Sequence, residues 1–365
     1  MHLSNAALPL IAASSLASAQ LHQYARRAGL QYFGSATDTP GQRERAGLEA
    51  AYPKYDAILN DVREFGQTTA TNGQKWLFSE PEEGVFNYTE GEVVSSIAAR
   101  NGQMLRCHAL VWHQQLAPWV GTKQWTPETM REAIVRHIHN VAGHWKGRCL
   151  HWDVVNEALE DDGTWRKSVF YNVLGEEYIK LAFREAAKAD PHAKLFYNDY
   201  NLESPGLKVA AAGRLVKMLQ DEGIRIDGVG AQAHLVAHRA PSLDQQIAAY
   251  QSFADLGVEV ALTELDVRLQ LPADATNLAL QKQVYANSVG ACAQVKGCVG
   301  VTLWDFYDPF SWVPYVFDGE GAATLWFDDF SKHPAYDGII DALKNNSKCA
   351  SKRRRSRIEG SKPLY

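Results

Sequence analysis

Eight short runs of apolar or β-branched residues recur along the chain, at residues 30–36, 67–72, 104–110, 150–156, 194–199, 228–233, 259–264 and 300–305. Each gap between them has room for a helix and its loops, the spacing of parallel strands joined by helical crossovers. Three gaps carry explicit helix signals. Thr126-Pro127-Glu128 supplies an N-cap, a Pro at the first position and an early acid, followed by an apolar stripe through Met130, Ile134, Ile138, Val141 and Trp145. Residues 176–189 repeat the pattern and stop at Asp190-Pro191, and residues 207–219 stop at Gly223. Eight strand–helix units in one chain predict an α/β fold closed as a (β/α)8 TIM barrel rather than a doubly wound sheet.

No Pro-, Gly- or Ser-rich linker interrupts this pattern, so residues 20–350 are read as one domain. Before it, an apolar segment over residues 6–16 leads into Ala17-Ser18-Ala19, a small-x-small cleavage pattern, so residues 1–19 read as a secretory signal peptide although they contain no Lys or Arg. After it, residues 351–365 hold six basic side chains against the single acid Glu359 and read as a basic, disordered tail. The first 350 residues therefore have ten more acids than bases, which argues against a nucleic-acid partner. No other stretch is long and apolar enough to cross a bilayer. A secreted, extracellular, monomeric protein is expected.

Five cysteines fit an oxidising compartment but cannot all pair with one another. Cys292 and Cys298 flank Gly297 and read as a local disulfide. Cys107 and Cys149 lie in or beside apolar runs and read as buried thiols, with pairing to each other or to Cys349 left open. Asn87-Tyr88-Thr89 and Asn345-Asn346-Ser347 are glycosylation acceptor patterns.

In a parallel barrel, the residues that do chemistry stand where strands end, at the carboxyl-terminal face. The fourth run, His151-Trp152-Asp153-Val154-Val155-Asn156-Glu157, ends in an amide and a carboxylate. The seventh, Val258 to Asp266, ends in Glu264 and Asp266. Either alone reads as an exposed strand end; together they supply the two carboxylates that glycosidic bond hydrolysis uses. The other ends add Asn72 and Lys75, His108, Trp112 and Gln115, Asn198, Asp199 and Tyr200, Gln232 and His234, and Trp304 and Trp312. Amides, imidazoles, carboxylates and indoles suit a neutral polyhydroxylated ligand. His137 and His139 stand two apart on a helix, and no His-Glu-x-x-His, Gly-x-Ser-x-Gly or phosphate-cradling pattern occurs, so a reaction without metal or cofactor is expected.

These stretches, with Asn198-Asp199-Tyr200-Asn201 and Gly300 to Asp305, resemble the family-10 glycoside hydrolases, retaining endo-β-1,4-xylanases, and most of all their secreted fungal members. The likeness runs from about Leu30 to Leu343. It implies endo-hydrolysis of xylan and xylo-oligosaccharides, with Glu157 as acid/base and Glu264 as nucleophile. It further implies that His234 and Asp266 orient Glu264, and that Asn156 binds the sugar's 2-hydroxyl. Asn72, Lys75, His108, Trp112, Gln115 and Gln232 would line the non-reducing side, with Trp304 and Trp312 as an indole platform. The sequence departs from the family pattern at Thr71, where an acid is common, at Gln74, where Met is usual, and at Cys107, where Gly is usual. Loss of the acid at position 71 implies weaker binding two sugars from the cleavage point. An inactive carbohydrate-binding barrel and a glucan- or mannan-cleaving glycosidase are the competing readings.

Overall fold

The computed structural model describes residues 20–38 and 52–359, with side chains as far as residue 346. The expected signal peptide, Ser347 of the second acceptor pattern, and the side chain of Cys349 lie outside the described residues. Eight parallel strands alternate with helices: β1 (Tyr32–Thr37), β2 (Gln67–Ala70), β3 (Met104–Trp112), β4 (Cys149–Asn156), β5 (Lys194–Asp199), β6 (Gly228–Ala231), β7 (Glu259–Gln270) and β8 (Cys298–Leu303). They pair in chain order, and β1 also pairs with β8, which closes the barrel. The sequence expectation of a single (β/α)8 unit therefore holds.

The helix expected after residue 126 runs Pro127–His144, with the Thr126 hydroxyl accepting from the Thr129 N–H and the Thr129 side chain returning a bond to the cap. Its stripe of Met130, Ile134, Ile138 and Val141 is buried against the strands. The core has two parts. One fills the layer between strands and helices; the other, around Tyr32, Phe196, Ala261 and Val299, packs the barrel interior. Gly228 makes room for the second: a Cβ there would lie 2.2 Å from the Phe196 ring.

Several strand ends differ from the sequence reading. β2 stops at Ala70, so Asn72 and Lys75 stand in the turn beyond it, whereas β3 runs on to Trp112 and β7 to Gln270. β6 stops at Ala231 because Ala233 takes a left-handed backbone, φ +61°, after which His234–Val236 forms a short strand on β7. The final helix, Pro334–Glu359, includes the first part of the tail read as disordered. Lys and Arg favour helix nearly as strongly as any residue type, so the basic composition does not oppose it.

The cysteines require a correction. Cys107 and Cys149 are not free thiols but a disulfide across β3 and β4, and Cys292–Cys298 is the second. The strand register sets Leu105 opposite Cys149, which brings the Cys107 and Cys149 Cα atoms to 5.7 Å, within bridging range. Among the described residues, no helix is long and apolar enough to cross a membrane.

Candidate active site

Glu157 and Glu264 both stand at the carboxyl-terminal mouth of the barrel, one just past β4 and the other within β7 where it rises past β6. A buried amide between them couples the two. Asn198, near the end of β5, donates from Nδ2 to Glu264 Oε1 at 2.8 Å and to Asn156 Oδ1 at 2.8 Å, while Thr263 Oγ1 donates to its oxygen at 2.6 Å. Gly230 on β6 permits this placement, since a Cβ there would lie 2.2 Å from Asn198 Oδ1. Because Asn198 must donate to the carboxylate, the Asn156 amide presents its oxygen to Asn198 and its nitrogen to Glu157 Oε1 at 3.4 Å. The opposite orientation would give Trp112 Nε1 an acceptor at 3.2 Å but would set two donor nitrogens 2.8 Å apart.

Glu157 itself has a left-handed backbone, φ +56°, which a glutamate adopts only when its surroundings hold it there. Three contacts do so. Its N–H donates to the Asn198 carbonyl at 2.9 Å, Arg166 Nε donates to its carbonyl at 2.9 Å, and Gln232 Nε2 donates to its Oε1 at 3.0 Å. His113 Nδ1 lies 4.0 Å from Oε2. Burial lowers the His113 pKa, outweighing the pull of Glu157, so this neighbour favours the neutral imidazole.

Glu264 has a different environment. His234 Nε2 donates to Oε2 at 3.2 Å and His108 Nδ1 stands 3.9 Å from Oε1. Desolvation works to raise the Glu264 pKa, yet the summed attraction of His108 and His234 wins and lowers it. His234 is held in turn by Asp266, whose Oδ2 accepts from His234 Nδ1 at 2.9 Å and from Trp312 Nε1 at 2.7 Å. Burial opposes the imidazolium, but Asp266 and then Glu264 raise His234 to about 10. On the other side, His108 Nδ1 donates to Asp153 at 2.8 Å, and Arg106 clamps Asp153 through both terminal nitrogens.

A third group flanks the carboxylates on the β2 and β3 side. Lys75 Nζ donates to Asn72 Oδ1 at 3.0 Å and to Gln115 Oε1, and lies 4.7 Å from the Trp112 ring centre and 6.0 Å from that of Trp304. Desolvation lowers its pKa to about 8 against the pull of Glu264, Asp38 and Glu157. Although position 71 lacks an acid, one does reach Asn72: Asp38, beyond β1, accepts from its Nδ2. Gln74 bonds the Cys107 sulfur and the His108 N–H, which ties two of the unusual positions together.

All thirteen side chains expected at the site are thus linked here by hydrogen bonds or ring contacts; Trp304 meets His108 edge-on at 5.3 Å between centres. Sequence reasoning set Asn198 at a strand end without assigning it a role, and left Asp153, Arg106 and Arg166 outside the site. Arg106 and Asp153 were detectable as charges inside apolar strands, whereas nothing in the sequence links Arg166 to Glu157. A cavity of about 820 Å³ between Asp56 and the 86–100 segment holds neither carboxylate, so the site is identified by its converging groups rather than by volume.

A (β/α)8 barrel with a coupled pair of carboxylates at its mouth has the form of a glycoside hydrolase. Sequence comparison agrees: the model of glycosyl hydrolase family 10 matches residues 20–342, and the chain belongs to that family. Endo-1,4-beta-xylanase A of Humicola insolens is 67% identical over 324 residues, 89% of this chain and 86% of its own. Endo-1,4-beta-xylanase D of Talaromyces funiculosus is 45% identical over 95% of this chain and 83% of its own. Among solved structures, Penicillium canescens endo-1,4-beta-xylanase XylE superimposes with a TM-score of 0.85 at 41% identity, over 89% of this chain and 98% of that one. The GH10 xylanase of Bispora sp. MEY-1, solved with xylobiose, gives 0.83 at 40% identity, over 88% and 99%.

Proposed function

We propose that this chain is a secreted endo-1,4-β-xylanase that cleaves internal bonds of xylan by double displacement, with Glu264 as nucleophile and Glu157 as acid/base. The observation that carries the reading is the unequal surroundings of the two carboxylates. Glu264 sits between two imidazoles that favour its anion, whereas Glu157 faces an amide donor and a histidine that burial keeps toward its neutral form. A carboxylate held between imidazoles beside a second carboxyl bonded by amides is the kind of unequal pair a retaining glycosidase needs.

The steps follow. Glu264 attacks the anomeric carbon while Glu157 delivers its proton to the departing oxygen, so the glycosidic bond breaks as the ester bond forms. Esterification removes the negative charge of Glu264, and Glu157, now deprotonated, can take a proton from water. The resulting hydroxide displaces Glu264 and releases the sugar with its original configuration. Asn156 Nδ2 faces the same cleft and binds the 2-hydroxyl, a contact that strengthens as positive charge develops on the ring. His234, cationic through Asp266, keeps Glu264 oriented. Lys75, Asn72, His108, Trp112, Gln115 and Gln232 receive the non-reducing side, under Trp304 and Trp312. The two disulfides fit an extracellular enzyme, and it acts as a monomer.

The test is reducing-sugar release from xylan and from carboxymethyl cellulose. Xylose lacks the hydroxymethyl group of glucose, so a cleft closed by Lys75 and Trp304 should favour xylan strongly. Dominant release from the cellulose derivative would assign the protein to a different glycan, and no release from either would leave a binding protein.

A further inference from the structure

The cavity of about 820 Å³ that holds neither carboxylate lies between the helices Tyr52–Leu59 and Thr89–Asn101. The turn leading into the second helix, Phe86-Asn87-Tyr88-Thr89, forms part of its wall. Phe86 and Tyr88 are half-buried there, with ring planes 15° apart and centres 6.2 Å apart, and His144 stacks on Tyr88 at 3.8 Å. Asn60, Ser96 and Arg100 also line the cavity, so it offers both flat apolar surface and hydrogen-bonding groups, at a volume usual for a ligand site. Just before the turn, Val85 leaves a large apolar side chain in solvent, 53% exposed. Asn87 itself is exposed and its backbone is fixed, since its N–H donates to the Ser79 carbonyl at 3.0 Å. Its Oδ1 accepts from the Thr89 N–H at 3.0 Å, while among the described residues neither Asn87 Nδ2 nor the Thr89 hydroxyl makes a hydrogen bond. The other acceptor, Asn345, stands within the final helix and borders a groove with no aromatic ring among its described lining residues.

From the uncommitted Nδ2 and the ring-lined cavity beside it, we infer that Asn87 is a modification site: it carries an N-linked glycan whose first sugars pack into the cavity against Phe86 and Tyr88. The linkage forms between Nδ2 and the anomeric carbon of an N-acetylglucosamine carried on a lipid pyrophosphate. The lipid pyrophosphate leaves with the bonding electron pair, and Nδ2 gives up one proton. Because the attachment point is in the cavity wall, the sugar is held at high effective concentration, and weak ring contacts suffice to seat it. Seated there, the glycan covers Phe86 and shields Val85 from solvent. The inference rests on the secreted part of the proposed function, since the donor belongs to the secretory pathway.

The experiment expresses the full chain in a fungal host and analyses wild type, Thr89→Ala, Asn345→Gln and Phe86→Leu by glycopeptide mass spectrometry and amide hydrogen exchange. The peptide holding Asn87 should carry hexose and N-acetylhexosamine in wild type, Asn345→Gln and Phe86→Leu, and should lose them in Thr89→Ala. Enzymatic removal of the glycan should speed exchange in the 85–92 segment about threefold in wild type, the scale of a single ring contact. The same removal should change little in Phe86→Leu, which keeps the acceptor and the apolar bulk but not the flat ring. A secreted wild type whose chain starts near Gln20 and whose Asn87 is bare overturns the modification and leaves secretion standing. A glycan at Asn87 whose removal leaves exchange unchanged in wild type, or speeds it equally in Phe86→Leu, overturns the seat in the cavity. A wild-type chain kept inside the cell with residues 1–19 attached and no sugar overturns both the inference and the secreted reading.

Discussion

Asp266→Asn isolates the electrostatic link that keeps Glu264 anionic. Asparagine retains an acceptor for Trp312 and His234 and nearly the same shape, but removes the charge that does most to hold His234 protonated. The rise of His234 from the ordinary 6.5 to about 10 corresponds to on the order of 5 kcal/mol of preference for the imidazolium. Two carboxylates supply it and Asp266 is the larger source, so the Asn variant should lose about half, roughly 2–3 kcal/mol, and His234 should give up its proton about two pH units earlier. The sign follows from proton uptake. A group whose pKa is raised on folding contributes its full stability below the unfolded value, near 6.5, and loses it as pH climbs through the folded value. Wild type should therefore lose this stability over pH 6.5 to about 10, and the variant should finish losing it near pH 8. Between about pH 8 and 10 the advantage of wild type should shrink by roughly 2–3 kcal/mol. Urea unfolding across pH 7 to 10.5, with imidazole NMR of His234, measures it. An advantage constant with pH, or a His234 resonance that titrates identically in both proteins, would refute the linkage.

The remaining predictions concern the carboxylates and the β3–β4 bridge. Glu157→Ala should lose about 10²–10⁴-fold on xylan, the range of general acid catalysis. It should still form the glycosyl ester rapidly from an aryl xylobioside whose phenolate needs no proton, seen as a burst of phenolate in stopped flow; equal losses on both substrates would contradict its role. Because the Glu264 pKa is lowered, its contribution to stability should be present above the usual carboxylate range and disappear only as pH falls through its depressed folded value. Acid unfolding of wild type against Glu264→Gln checks this, and a parallel pH dependence would contradict it. Replacing both Cys107 and Cys149 with Ser releases a loop with a sequence separation of 42 and should cost about 4 kcal/mol by loop entropy, read as a lower urea midpoint. An unchanged midpoint would mean that the bridge adds nothing.

The order of strands and helices was legible in the sequence because each element has a local cause: β-branched runs, the Thr126 cap, the breaks at Asp190-Pro191 and Gly223. The carboxylates were legible because strand ends in a parallel barrel share one face. What the sequence hid depends on lateral register. Cys107 and Cys149 face each other only because β3 and β4 are offset so that Leu105 meets Cys149, and no local pattern reports that offset. Asn198 stood among the recognised strand ends, yet its task of bonding both Asn156 and Glu264 needs β6 to carry glycine at position 230. Arg166 reaches Glu157 by folding its loop back, and Asp38 reaches Asn72 from another strand end. In each case the partner is fixed by topology, and an isolated Arg or Asp looks the same in sequence with or without one.

The assignment of Glu264 as nucleophile is tested most directly by chemical rescue. Glu264→Ala should fold, bind xylo-oligosaccharides and fail to hydrolyse an aryl xylobioside. Adding azide should restore turnover and yield a glycosyl azide whose anomeric configuration is inverted relative to the substrate, because azide occupies the face that Glu264 vacates. Full hydrolysis without azide, or an azide product of retained configuration, would contradict the account.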